Sequence, residues 1–180
     1  MTFLDPLPRL LTARLALRDL APEAARGGGG EAASFAIVRL ADGAFVGAIG
    51  LAFEPPLAVA QLWCRIEQDW RGRGYATEAA GAVVAHGFET LDLERIWAPR
   101  LRADEAAARV FERIGLVHEG SRFVPEPGAV ARIEQHGCLR WEYFARVAQC
   151  GHAGAAPRDA GGRIAQQARV WSASDPHAAP

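Results

Sequence analysis

"RGRGYATEA", Arg71–Ala79, is the stretch on which the reading of this chain turns. The run before it, "AVAQLWCRIEQ" (Ala58–Gln68), has the composition of a strand. The run after it places Ala76, Ala79, Ala80, Val83, Val84, Phe88 and Leu91 at i, i+3, i+4, i+7 spacing, which predicts a helix over Tyr75–Leu91 with one buried face. The order is strand, glycine turn, helix. A helix start carries backbone N–H groups without intrahelical acceptors and the positive end of the dipole. Gly72 and Gly74 let the backbone curl so that successive N–H groups converge on one anion. Arg71 and Arg73 add charge at the rim, and Thr77 adds a hydroxyl in the first turn. Such a turn receives a phosphate or diphosphate. The same residues also describe a plain strand-to-helix turn with solvated arginines. The dinucleotide fingerprint G-x-G-x-x-G is not met, because Thr77 stands where its third glycine belongs.

Outward from this turn, the remaining segments read as an α+β chain. "LLTARLALRDL" (Leu10–Leu20) alternates like a strand, and "SFAIVRL" and "AFVGAIGLAF" flank the hairpin signal Asp42-Gly43. These runs predict an antiparallel meander. "RIWAPRL" (Arg95–Leu101) reads as a strand, and Asp104 as the cap of a second helix with the stripe Ala107, Val110, Phe111, Ile114, ended by Gly115. "LVHEGSRFV" and "HGCLRWEYFARV" read as two closing strands. "APEAARGGGGEAA" (Ala21–Ala33), with glycines 27–30, reads as a flexible connector. Residues 151–180, rich in Ala, Gly and Pro, read as a disordered tail. Trp63, Trp70, Trp97 and Trp141 are expected in the core or the wall of a cleft, and His86 in the core.

Composition narrows the function classes. The 180 residues hold 20 basic side chains, all arginine, against 21 acidic ones, for a formal net charge of -1. That balance gives no overall pull toward nucleic acid or an anionic membrane. Without lysine, neither a phosphate loop ending in Lys nor a Schiff-base lysine is available. Cys64, Cys138 and Cys150 show no CxxC spacing, and His152 near Cys150 lacks a second ligand pair, so neither a disulfide framework nor a metal site is expected. The start "MTFLDPLPRL" has no basic, apolar leader pattern, and no run of about 18 apolar residues occurs, so a cytoplasmic enzyme or binding module is expected.

Arg71-Gly72-Arg73-Gly74-Tyr75-Ala76 resembles motif A, Arg/Gln-x-x-Gly-x-Gly/Ala, of the GNAT superfamily of acyl-CoA-dependent N-acetyltransferases. "FVGAIGLAF" is similar to the strand that precedes the family's cofactor strand, and "AAARVFERIGLVHEG" to its motif B. The branch that the chain resembles most contains the ribosomal-protein N-terminal acetyltransferases. The resemblance covers residues 10–148, and implies a mostly antiparallel twisted sheet flanked by helices. It implies that two strands splay apart around pantetheine and that the backbone from Arg71 to Thr77 holds the pyrophosphate. It also implies that an amide near Ile66 polarises the thioester carbonyl. Acetyl-CoA is then the co-substrate and a primary amine, of a protein N-terminus or a small molecule, the acceptor.

The chain departs from the family pattern at several positions. Asp104 stands where motif B offers an asparagine to pantetheine, Ala107 where it offers a serine, and Phe111 where some branches use a tyrosine. No general acid is therefore assigned. Gln61 stands where related enzymes carry a glutamate, which leaves Glu54 and Glu67 as candidate bases. The connector is too short for the two helices that build the family's acceptor wall, so a shortened N-terminal helical region is expected. A homodimer partner completing that wall is one expectation. An acyl-CoA-binding regulatory module without catalysis is the other reading.

Overall fold

The computed structural model describes residues 7–20, 32–54, 58–126 and 129–149. In chain order the elements are β1 (Leu10–Leu11), β2 (Leu15–Asp19), β3 (Ala32–Arg39), β4 (Phe45–Phe53), β5 (Val59–Ile66), a 3-10 turn (Gln68–Trp70), α1 (Tyr75–Glu89), β6 (Arg95–Leu101), α2 (Glu105–Ile114), β7 (Val117–Glu126), β8 (Ala129–Leu139) and α3 (Arg140–Gln149). The strands form one sheet in the order β1-β2-β3-β4-β5-β6-β8-β7. Neighbours run antiparallel except β5 and β6, which are parallel. The meander, the parallel step and the flanking helices agree with the predicted α+β class.

Local chemistry explains the early strands. Gly43 turns the β3–β4 hairpin at φ +72°, and the Asp42 carboxylate accepts the Ala44 N–H at 3.2 Å while pairing with Arg39. The α1 helix then lies on the sheet with Ala79, Ala80, Val83, Val84 and Phe88 buried against β-strand residues such as Phe35, Ile37, Ile49, Leu51 and Ile96. A Cβ at Gly87 would meet Ile96 Cδ1 at 2.7 Å and Leu51 Cδ1 at 3.1 Å. The absence of a side chain there lets helix and sheet touch. α2 begins at Asp104, whose Oδ1 accepts the Ala107 N–H at 2.9 Å, and ends at Gly115 with φ +82°. Both ends are as the sequence predicts.

Three expectations are corrected. Leu10–Leu20 is not one strand: Thr12 accepts the Leu15 N–H on its hydroxyl at 3.0 Å, and the chain folds back so that Leu10 pairs with Leu17. The second closing strand ends at Leu139, and Arg140–Gln149 is a helix. Glu142 accepts the Leu139 N–H at 2.8 Å, Tyr143 stacks on Phe88 with ring centroids 5.1 Å apart, and Arg146 donates to the Gly115 carbonyl at 2.8 Å. Docking onto α1 and the end of α2 thus outweighs the strand-like aromatic composition. Trp141 is 68% exposed rather than core or cleft wall. The connector with glycines 27–30 and the region from Cys150 onward lie outside the described residues.

Candidate functional site

β5 and β6 pair over Val59–Gln61 and Arg95–Trp97, and then part. Pro99 lies in the parted stretch and has no N–H to offer a neighbouring strand. The gap between Leu62–Ile66 and Pro99–Leu101 opens a cavity of about 850 Å³, closed on the helical side by the first turn of α1 and by α2. That volume suits a small-molecule site, for which roughly 300–1,000 Å³ is usual. Gln61 and Trp63 line its closed end. The glycine turn stands at its open end, past the C-terminus of β5.

Gly72 has φ +73° and Gly74, the N-cap of α1, has φ +80°. A Cβ built at Gly72 would meet nothing within 4 Å, and one at Gly74 only Arg14 Nη2 at 3.4 Å. Glycine is needed here for backbone conformation, and the space beside it is open. The Arg71 N–H is bonded to the Gln68 carbonyl at 3.3 Å, and the Glu78 N–H to the Gly74 carbonyl at 3.1 Å. Between them, the N–H groups of Gly72 through Thr77 have no acceptor among the described residues. Unpaired donors at a helix start, facing a cavity, fit a diphosphate; the slot beyond them fits a slim chain running between two strands.

The turn is braced from behind. Glu78, in the first turn of α1, accepts from Thr12 Oγ1 at 2.6 Å, from the Arg14 N–H at 2.8 Å and from Arg14 Nε at 2.6 Å. Burial pushes its carboxyl up, but these bonds outweigh burial and hold it below the usual carboxylate range. Arg14 also donates to the Arg73 carbonyl at 3.1 Å and lies over the Tyr75 ring, 4.7 Å from its centroid. Trp70 packs against two guanidiniums, that of Arg39 at 4.5 Å and that of Arg73 at 5.0 Å. The sequence reading missed this brace; an acid in the first helical turn was its one local signal.

Of the sequence-predicted cofactor residues, Ile66, Arg71, Gly72, Gly74, Tyr75, Ala76, Thr77, Asp104 and Phe111 all line this cavity. Arg73 does not; its side chain turns onto Trp70. Arg71 Nε is bonded to the Ile66 carbonyl at 3.0 Å, which ties the turn to the end of β5. The Asp104 Oδ1 atom is engaged as the cap of α2. The two candidate bases sit at opposite ends of the slot, and neither lines the cavity. Glu67 follows β5 at the open end and pairs with Arg65 at 3.3 Å. Glu54 follows β4 and accepts from Trp97 Nε1 at 2.8 Å, beside the rung where β5 and β6 part.

Beneath α2, Phe111 rests on His136, ring centroids 5.2 Å apart. His136 neighbours Glu134, which is 5% exposed and takes Ser121 Oγ at 2.6 Å, His118 Nε2 at 2.7 Å and Arg132 Nε at 3.0 Å. The Ser121 and His118 bonds bring the Glu134 carboxyl down to about 2. This network supports α2 from the sheet. Among the described residues, no group of three His, Cys, Asp or Glu could hold a metal ion, and no helix is long and apolar enough to cross a membrane.

Residues 5–117 match the family description "Acetyltransferase (GNAT) domain". No curated protein matches the chain. Among solved structures, an acetyltransferase (GNAT family) from Bacillus anthracis superposes with TM-score 0.65 at 20% identity, covering 74% of this chain and 99% of that one. A putative ribosomal-protein-serine acetyltransferase from Vibrio cholerae gives 0.60 at 17% identity, covering 73% and 97%. A spermidine N-acetyltransferase from Vibrio cholerae, solved with CoA and spermine, gives 0.58 at 18% identity, covering 63% and 68%.

Proposed function

The chain belongs to the GNAT acetyltransferase family, and from that premise we propose that it moves an acetyl group from acetyl-CoA to the primary amine of a protein N-terminus or small molecule. The observation that carries this reading is the run of unpaired N–H groups from Gly72 to Thr77 at the mouth of the slot between β5 and β6. Those donors and Arg71 would hold the pyrophosphate, and Asp104 and Phe111 would flank the pantetheine. Ile66, tied to Arg71 at the end of β5, lies beside the pyrophosphate turn, so its amide would meet the pantetheine arm, and the amide that meets charge developing on the thioester oxygen would lie deeper along β5, toward Gln61. Binding supplies the activated acetyl thioester; the chain then brings an amine to it and removes a proton.

For the base, the closed end of the slot favours Glu54 over Glu67. The phosphates enter beside Glu67, whereas a reacting centre lies near the rung joining Gln61 to Trp97. The Trp97 N–H bond orients the Glu54 carboxylate there and leaves its second oxygen available to an ammonium or to a water that relays the proton. A second reading, binding of acyl-CoA without turnover, draws on Ala107 and Phe111, neither of which can protonate a leaving thiolate.

Calorimetric titration with acetyl-CoA, followed by thiol release against a panel of amines and N-terminal peptides, tests both. Binding and turnover support the transferase. Binding with no turnover above background supports the second reading, and no binding at sub-millimolar acetyl-CoA defeats both.

A further inference from the structure

Five arginines line the cavity: 65, 71, 100, 109 and 113. Three are already engaged. Arg65 pairs with Glu67, Arg71 bonds the Ile66 carbonyl, and Arg100 bonds the Leu101 and Arg102 carbonyls at 3.2 and 3.0 Å. Arg109 and Arg113 take part in no hydrogen bond or ion pair among the described residues, although Glu105 stands four positions ahead of Arg109. They are themselves four apart, so they extend from one side of α2 on successive turns. Two like charges in that relation repel, which disfavours the free helix and leaves both guanidiniums available for an anion in the cavity.

The diphosphate of the proposed cofactor does not need them, since the glycine turn and Arg71 face it from the other wall. We propose that Arg109 and Arg113 form a second anion site, for a phosphomonoester, and that the 3′-phosphate of coenzyme A occupies it. This inference rests on the acyl-CoA reading of the same cavity. A phosphomonoester carries close to two charges at neutral pH and offers three acceptor oxygens, which match two planar guanidinium forks. The site would distinguish coenzyme A from analogues that share its pantetheine and diphosphate.

The test is calorimetric titration of the full chain with coenzyme A and with 3′-dephospho-coenzyme A, without any acceptor. The protein is expected to bind coenzyme A about tenfold more tightly, the scale of charge-assisted contacts to one phosphate. In Arg109→Ala/Arg113→Ala that preference is expected to vanish by loss of coenzyme A affinity, with dephospho-coenzyme A affinity unchanged. Arg109→Lys/Arg113→Lys is expected to keep part of it. A preference that survives in the double alanine variant overturns the inference, as does its absence from the parent. Binding of neither compound overturns the acyl-CoA reading itself and this inference with it. Should the double variant fail to melt cooperatively, the single Arg109→Gln and Arg113→Gln variants decide: severalfold loss of preference in each supports the site, and no loss in either overturns it.

Discussion

Gln61 and Trp97 form the last rung that joins β5 to β6, and everything beyond that rung is slot. Trp97 also donates its indole N–H to Glu54, so the point where the sheet opens is the point where a carboxylate is held. Chemistry at the closed end and phosphate binding at the open end are therefore separable by substitution.

Glu54→Gln is expected to lower kcat by about 100-fold or more while leaving the dissociation constant for acetyl-CoA within twofold, the pattern of a lost proton acceptor. Trp97→Phe removes the bond that orients the Glu54 carboxylate, so kcat should fall while the affinity for acetyl-CoA is kept. Unchanged kcat in Glu54→Gln would turn attention to Glu67.

Gly74→Glu is expected to abolish acetyl-CoA binding, because it sets a side chain and a negative charge where the diphosphate lies. Gly43 shares the left-handed backbone, at φ +72°, but turns the β3–β4 hairpin and does not line the cavity. Gly43→Glu should lose stability, by about 1–2 kcal/mol for the strained conformation, and keep its affinity. Equal affinity in both variants would contradict the assignment of the turn.

Arg14→Ala removes the guanidinium that links Glu78, the Arg73 carbonyl and the Tyr75 ring. Arg14 is about half exposed, so the cost in global stability should be small, about 1 kcal/mol or less. The turn it braces should loosen, seen as faster amide exchange confined to residues 72–78 and weaker acetyl-CoA binding. A loss of stability without a change in binding would make the brace merely structural.

His86 is fully buried on α1, edge-on to Phe35 at 6.1 Å, with Nε2 lacking a partner among the described residues. Burial brings its imidazole down to about 4 from the ordinary 6.5. The unfolded chain then binds a proton that the native state refuses, so stability is lost as pH falls from 6.5 toward 4, by roughly 3 kcal/mol across that window. Denaturant melts at a series of pH values should show this slope in the parent and a shallower one in His86→Phe. An equal slope in both would exclude His86 as its source.

The parts of the fold that were legible in the sequence are those decided locally. Gly72 and Gly74 ahead of a helical apolar stripe, Asp42-Gly43 between strands, and Asp104 and Gly115 bounding α2 each specify their own backbone. Arg140–Gln149 was misread because its helix is fixed by tertiary partners: Phe88 beneath Tyr143, and the Gly115 carbonyl for Arg146. The break at Thr12 depends on Glu78, 66 positions away. Arg109 and Arg113 look like any solvated helix face until the cavity is seen to reach them. The Glu54–Trp97 bond joins the residue just past β4 to β6, two strands that do not neighbour one another, which no local pattern reports.

The central claim is that free backbone donors from Gly72 to Thr77 grip a diphosphate. Amide proton and nitrogen chemical shifts, followed while coenzyme A is titrated into the labelled protein, read those donors one by one. The account expects the largest downfield proton shifts at residues 72–77, saturating with the calorimetric affinity. Saturated binding that leaves those amides unmoved would contradict it.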